Sequence, residues 1–390
     1  MLIAFDCRII RDKNPAGITR VVLEFLKKIL MSDRKNEYIL IFDNLEMQEF
    51  VSYYLRHIKK KVKILIVPFK LMTKNDFWQL PKILEDKKIN IYYLPYYITS
   101  PFHKKSYKVV VTVFDLIHFF YPQLKMSRGR KLFHKFTFIT KLIFKRADRI
   151  ITISVNTSRD LIKNFKVPPK KIKMIYMGVS ENFRVINCDS VKRLLREKYK
   201  IFKPYLLYVG RNEPHKNIKA VILAYAKLPE YLQEKYNLVL AGKEDEKYNQ
   251  SIREMIARYQ LEDKVIFTGY VEESELPYIY SGAAVFVFPS FYEGFGLPIL
   301  EAMACGVPVV ASNASSLPEV GGEAALYSNP TDVLKISANI ESLLEDTLLR
   351  EEMIRRGLMQ IKNFTWFNAA NNLLECFNEL GEELNRGSKK

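Results

Sequence analysis

Cysteine is sparse. The four residues (Cys7, Cys188, Cys305 and Cys376) are scattered, with neither metal-ligand spacing nor a disulfide framework, so a reducing compartment, the cytosol, is the expectation. No apolar run approaches the ~20 residues of a spanning helix, and no N-terminal apolar stretch with a cleavage site is visible. There is no G-x-G-x-x-G, which removes the dinucleotide fingerprint, and no repeat of solenoid period. No D-x-D-like metal motif stands near the candidate site described below. What remains is a soluble-type composition, 48% hydrophobic and 27% charged, in 390 residues, enough for two domains with substantial cores.

Charge is abundant and uneven. The net charge is +18, and residues 1–180 hold 36 of the 61 Lys and Arg but 14 of the 43 Asp and Glu. A basic first half and a mildly acidic second half predict two domains with different partners, the first facing something anionic.

Apolar β-favouring runs alternate with segments of helical spacing, which predicts βαβ units and a parallel sheet in each half. In the first half the strands are Met1–Cys7, Tyr38–Phe42, Lys63–Val67, Ile89–Leu94, Val109–Asp115, Arg149–Ser154 and Lys173–Met177. In the second they are Tyr205–Val209, Asn237–Ala241, Val265–Thr268, the run ending at Phe288, and Val307–Ala311. The polar stretch between them, 181–203, reads as a linker. That divides the chain into a first Rossmann-like domain, 1–180, a second, 204–366, and a last helix, 367–385.

The most informative stretch is FVFPSFYEGFGLPILEAMACGVPVV, residues 286–310. It reads as strand, glycine loop, helix and strand, with Pro298 in the first helical turn, where its missing N–H costs nothing. Gly294 and Gly296 let backbone N–H groups approach a ligand, and the helix N-terminus suits a phosphate. Glu293 and Glu301 offer hydroxyl acceptors on either side, which suits a polyol carrying a phosphate. An ordinary turn with two solvated Glu residues is the alternative. A second strand-end loop, GRNEPHKN at 210–217, brings Arg211 and Lys216 to a helix start with Asn217 as N-cap. Such cations neutralise a diphosphate leaving group without a metal; solvated surface is the competing assignment.

Glu293 and Glu301, with seven residues between them, stand in register with Leu297-Pro298 and Glu301-Ala302-Met303. The run resembles the signature of retaining glycosyltransferase family 4, and is most similar to bacterial mannosyltransferase-like members of surface polysaccharide synthesis. The resemblance implies a GT-B fold: two Rossmann-like domains facing across a cleft, with the last helix crossing back to the first. It implies that Glu293 contacts donor-sugar hydroxyls, Glu301 holds the ribose, and the backbone of Gly294, Phe295, Gly296 and Leu297 meets sugar and diphosphate. Arg211 and Lys216 would bind the diphosphate, and Gly269, Tyr270 and Val271 the base. In the first half it points to Gly17 near the donor phosphate, though a simple turn glycine fits better. Asp115 and His118 would lie near the reacting sugars, with Phe114 standing where relatives commonly carry His; capping of a helix start competes for Asp115.

The reaction implied is hexose transfer from a nucleotide diphosphate sugar, with GDP-mannose the leading donor and UDP- or dTDP-sugars as alternatives. The acceptor is a glycan or lipid-linked hydroxyl, and neither cofactor nor metal is expected. A GT-B nucleotide-sugar epimerase is the rival enzyme. A nucleic-acid-binding protein is the non-enzymatic rival, and the chain lacks the recognition motifs it would need. Met126–Asp148 is a basic amphipathic segment. Leu132, Phe136, Ile139 and Ile143 form its core face, and Phe133, Phe138 and Phe144 widen the apolar surface. Arg128, Arg130, Lys131, Lys135 and Lys141 lie on its positive face. Contact with an anionic membrane, at the inner face of the cytoplasmic membrane, is the expectation; a solvated basic face is the alternative.

Overall fold

The computed structural model describes residues 1–13, 17–103, 106–121, 130–244 and 246–387, with backbone alone for 130–135, 246 and 387. The chain divides into two compact units, Met1–Gly178 with Trp366–Lys390, and Val179–Thr365.

The first unit is built on seven parallel strands: β1 (Leu2–Asp6), β2 (Glu37–Phe42), β3 (Lys63–Ile66), β4 (Ile91–Leu94), β5 (Lys108–Val113), β6 (Arg149–Thr152) and β7 (Ile172–Met174). Their order is β3-β2-β1-β4-β5-β6-β7, so the winding reverses between β1 and β4. Near-continuous apolar runs such as YILIF and KVVVTV are what a parallel strand covered on both faces requires. The helices Ile18–Ser32 and Trp366–Gly387 pack together, with Phe25 edge-on to Trp366 at 5.2 Å and Phe377 edge-on to Tyr93 of β4 at 5.4 Å. Ion pairs fasten the returning helix: Lys173 to Glu375 (2.9 Å) and Arg149 to Glu383 (3.1 Å).

The crevice at the reversal in this unit is filled by its own charges. Asp6, Arg8 and Asp76 are each 0–1% exposed. Arg8 Nη2 lies 2.7 Å from Asp6 Oδ2 and Nη1 2.9 Å from Asp76 Oδ1, while the Tyr92 hydroxyl donates to Asp6 at 2.6 Å. Thr99 and His103 extend the network to Tyr107. Burial pushes the His103 imidazole down to about 3, so it is neutral.

The second unit has six parallel strands: β8 (Tyr205–Val209), β9 (Asn237–Ala241), β10 (Val265–Gly269), β11 (Ala283–Phe288), β12 (Val309–Ser312) and β13 (Ala325–Ser328). The order β10-β9-β8-β11-β12-β13 reverses between β8 and β11. β13 is a short edge strand that the sequence reading did not assign. Residues 181–203, expected as a linker, instead belong to this unit and contain the helix Asp189–Glu197. Val191 and Leu195 are buried, and Tyr199 donates to Glu275 at 2.6 Å. The last helix begins at Trp366 and runs to Gly387. Both units are thus doubly wound α/β sheets of Rossmann type.

The buried cluster in the first unit generates a stability test. Arg8→Met leaves two carboxylates without their cation and is expected to cost ~3–5 kcal/mol in urea unfolding. Adding Asp76→Asn should recover part of that loss.

Candidate functional site

In open α/β sheets, ligands bind outside the strand carboxyl ends where the order reverses. In the second unit two loops leave that place, 210–217 after β8 and 289–296 after β11. Pairing of β8 with β11, Leu207 opposite Phe286, sets them side by side. The backbone N–H of Phe291 donates to the carbonyl of His215 at 2.8 Å, and the Asn217 amide bonds the carbonyls of Pro289 (3.0 Å) and Pro330 (2.7 Å). Asn217 was expected to cap the following helix with its side chain. It precedes that helix in a left-handed conformation (φ 56°) with no capping bond, while its amide nitrogen makes these longer links.

Glu293 is the centre of this arrangement. Its Oε1 accepts from Lys216 Nζ at 2.9 Å and from Ser290 Oγ at 2.9 Å. The pair is largely enclosed, with side chains 18% and 14% exposed. Lys216 Nζ also stands 5.5 Å over the Phe288 ring, an added cation–π attraction. The backbone of Glu293 is clamped in turn: its N–H donates to Ser315 Oγ, and its carbonyl accepts from Ser315 (2.7 Å) and Ser316 (2.9 Å). Ser316 reaches the Phe295 carbonyl at 2.7 Å, and Ser312 the Ser290 carbonyl at 2.5 Å. These three serines follow or end β12 and were not singled out from sequence; the SNASS run at 312–316 was the available signal.

Gly296 (φ 117°) begins the helix Leu297–Ala304, and a Cβ there would come within 2.8 Å of Leu317 Cδ2. Both the backbone angle and the space therefore require glycine. Glu301 lies in that helix, 3% exposed, with the Tyr280 hydroxyl donating to Oε2 at 3.0 Å. On the other side, Gly242 presses against the backbone of Gly210, where a Cβ would fall 2.3 Å from the Gly210 oxygen. Gly242 N–H also donates to the carbonyl of Gly269, which ends β10, so three loop starts are joined through backbone. Tyr270 is half-exposed beside them and Val271 is buried.

Arg211 is exposed, with Nη1 3.6 Å from Glu213. Both expected phosphate-binding cations therefore stand next to a carboxylate. His215 is buried, and burial pushes its imidazole down to about 4, with Glu293 opposing and Lys216 adding to the shift. It carries no charge near neutral pH.

The remaining predicted residues lie in the first unit. Gly17 is the cap residue of the helix Ile18–Ser32, after β1. Asp115, after β5, accepts from the N–H of Ile117 at 3.0 Å in a turn that leads into the short helix Ile117–Phe120, whose cap position is Leu116 and on which His118 sits. Burial and Asp115 push the Tyr96 hydroxyl up to about 12. Of the amphipathic segment, Arg128 lies outside the described residues, as do the side chains of Arg130, Lys131, Phe133 and Lys135. Lys141 is exposed on the helix Arg130–Arg146. Phe144, expected to widen the outer apolar surface, is instead buried at 1% exposure beside Ile143.

Two family models match the chain, "Glycosyltransferase Family 4" over residues 15–183 and "Glycosyl transferases group 1" over residues 191–359. A curated relative, O-antigen chain mannosyltransferase B of Escherichia coli, is 34% identical across 82% of this chain and 81% of its own length. The chain belongs to glycosyltransferase family 4.

Another relative of this family 4 glycosyltransferase is the serotype-specific mannosyltransferase WbdA of Escherichia coli, 36% identical over 73% of the chain. The match spans only 35% of that longer protein. Among solved structures, Anabaena Alr3699/HepE in complex with UDP-glucose superposes with a TM-score of 0.74 at 17% identity, covering 97% of this chain and 100% of the other. That likeness establishes the GT-B glycosyltransferase fold. WaaG, a glycosyltransferase of lipopolysaccharide biosynthesis, matches similarly, with a TM-score of 0.71 at 14% identity over 96% of this chain and 99% of the other.

The geometry predicts that Glu293→Ala lowers the glycosyl-transfer rate by ~10²-fold or more, since a misplaced donor loses its near-attack geometry. The same change should cost only ~1–3 kcal/mol of stability, the penalty of one lost partly buried partner. Steady-state transfer assays beside urea unfolding check both halves.

Proposed function

We propose that this glycosyltransferase moves a hexose from a nucleotide diphosphate sugar to a hydroxyl of a glycan or lipid-linked oligosaccharide, with retention at the anomeric carbon, in bacterial surface polysaccharide synthesis. The observation that carries the reading is Glu293, held by Lys216 and Ser290 at the order reversal of the second sheet. GDP-mannose is the donor favoured, because the relatives with high identity are named mannosyltransferases, two of them of the O-antigen chain. A UDP-sugar is the second reading, favoured by the UDP-glucose complex of the Anabaena neighbour.

In the proposed reaction Glu293 accepts hydrogen bonds from donor-sugar hydroxyls and fixes the ring. Lys216 and Arg211 turn toward the diphosphate, exchanging their carboxylate neighbours for the charge that develops as the anomeric C–O bond breaks. The acceptor oxygen attacks from the same face, and an oxygen of the departing phosphate takes its proton. The backbone of Gly294, Phe295, Gly296 and Leu297 lies against sugar and diphosphate, Glu301 meets the ribose, and Gly269, Tyr270 and Val271 the base. Gly17, Asp115 and His118 complete the donor and acceptor side. No metal is required, because two cations and a helix start supply the positive charge.

Among the described residues no helix is long and apolar enough to cross a membrane. The enzyme is proposed to work peripherally at the cytoplasmic face of the membrane, held there by the basic first unit.

Thermal unfolding against GDP, UDP, dTDP and ADP, each with and without EDTA, tests the donor. One nucleotide raising the melting temperature regardless of EDTA is the expected result, and it names the base; no shift from any of them removes the donor-site argument. Arg211→Ala with Lys216→Ala should weaken diphosphate binding by at least ~10-fold while nucleoside binding changes little.

A further inference from the structure

The membrane reading above rests on the helix Arg130–Arg146, yet a second helix of the same unit carries a surface of the same chemistry. In Lys74–Asp86 the residues Leu80 and Leu84 are fully buried, and Trp78, on the opposite side, is 60% exposed. Phe102, from the loop after β4, lies flat on Trp78, ring centroids 4.5 Å apart at 10°, and is itself 45% exposed. The stack is built rather than incidental. Ser100, buried, donates to the Phe77 carbonyl at 2.8 Å and accepts from the Phe102 N–H at 3.0 Å, tying loop to helix. Met72, just before the helix, is 51% exposed.

Cations surround these rings. Lys74 and Lys82 sit one turn either side of Trp78, both exposed, with Lys70 nearby in sequence. Of the three acids of the helix, Asp76 is buried against Arg8, Glu85 is partly buried and accepts a bond from Ser106, and Asp86 is exposed at the last residue, one turn beyond Lys82.

Both helices cover one face of the sheet. Leu80 and Leu84 join Ile143 and Phe144 in a single apolar cluster with Ile39, Ile41, Val109 and Val111. The loop carrying Phe102 bridges them, since its Tyr97 packs against Phe144 at 5.7 Å. Phe138, 68% exposed, and Lys141 and Lys145 face away from that cluster. Trp78, Phe102 and Phe138 thus emerge from the same layer, interleaved with lysines.

We infer that this layer docks on an anionic lipid bilayer, with the Trp78–Phe102 stack seated among the headgroups and Lys74, Lys82, Lys141 and Lys145 against lipid phosphates. Charge complementarity selects this occupant, and an amphipathic Trp beside Lys is the side-chain pairing an interface favours. The inference rests on the membrane part of the proposed function and extends it to residues outside the helix Arg130–Arg146.

Tryptophan emission tests it directly, because the chain has two tryptophans and Trp366 is 4% exposed. Full-length protein is mixed with vesicles of phosphatidylglycerol and phosphatidylcholine, or of phosphatidylcholine alone, and followed by emission and co-sedimentation. The expected result is a blue shift, with quenching by acyl-brominated lipid, on the anionic vesicles only. Trp78→Phe should abolish the shift while sedimentation persists. Trp78→Ser with Phe102→Ser should weaken vesicle binding roughly tenfold, with the nucleotide-induced melting shift unchanged as the folding control. Sedimentation without any shift overturns this inference and leaves the helix Arg130–Arg146 as the contact. Absence of sedimentation overturns the membrane reading itself. A shift produced by soluble mannan and not by vesicles would assign the stack to a glycan instead.

Discussion

Lys216 and Glu293 are 77 residues apart and meet because two strands that are not consecutive, β8 and β11, are neighbours in the sheet. That reversal parts the chain in opposite directions and leaves a gap between loops that no crossover helix fills. Everything else at the site fixes how those loops lie: the Phe291–His215 backbone bond, the two carbonyls held by Asn217, and the serines beneath Glu293. A carboxylate in this position needs such bracing. Its pair with Lys216 is partly enclosed, so a loose loop would leave one charge without its partner, a costlier state than solvated surface. The rigidity of the glycine loop and the charge at its centre are therefore one constraint, met by hydrogen bonds from three different strand ends.

The first unit repeats the architecture and uses it differently. Its order reverses between β1 and β4, and the corresponding crevice is closed by Asp6, Arg8, Asp76 and Tyr92, all from within the unit. With one guanidinium shared by two buried carboxylates and His103 held neutral, this cluster leaves no positive charge over for a diphosphate. Two sheets of the same winding thus differ at the place where ligands usually bind: one crevice is occupied by the protein's own ions, the other framed by glycine backbone. This asymmetry is the physical reason for seeking the donor in the second unit.

What was legible in the residues was local. Strands of continuous apolar character, such as VVVTV and FVF, announce a sheet covered on both faces, and the glycine loop with Glu293 announces itself by composition. Features that depend on distant partners were not legible. Asn217 has the composition of an N-cap, but it takes a left-handed backbone that makes no capping bond, and its amide nitrogen donates to the carbonyls of Pro289 and Pro330, each more than seventy residues away. The segment 181–203 looks like a linker because most of it is polar, and the five residues that carry its packing, Phe183, Val191, Leu195, Tyr199 and Ile201, are spread thinly along it. β13 is four residues, Ala-Leu-Tyr-Ser, at a sheet edge, too little to separate from a loop. Ser312, Ser315 and Ser316 acquire meaning only once β12 is placed beside β11, and Trp78 and Phe102 are 24 residues apart until Ser100 joins their segments.

In the proposed function, the basic excess of the first 180 residues and the few cations at the site are two solutions to binding anions. At the site each cation stands beside a carboxylate, so an incoming diphosphate must exchange one partner for another, and the gain depends on geometry. That favours a ligand of defined shape, and the enclosed Lys216–Glu293 pair is screened less by salt than the exposed Arg211. On the face formed by the helices Lys74–Asp86 and Arg130–Arg146 the lysines are exposed and spread over separate elements. Together they act as a field, attracting any extended anionic surface and weakening as the Debye length shortens. A field alone does not hold a protein at a boundary. Aromatic rings that gain by leaving water supply the salt-independent part, which gives exposed Trp78, Phe102 and Phe138 a reason to sit among lysines rather than in the core.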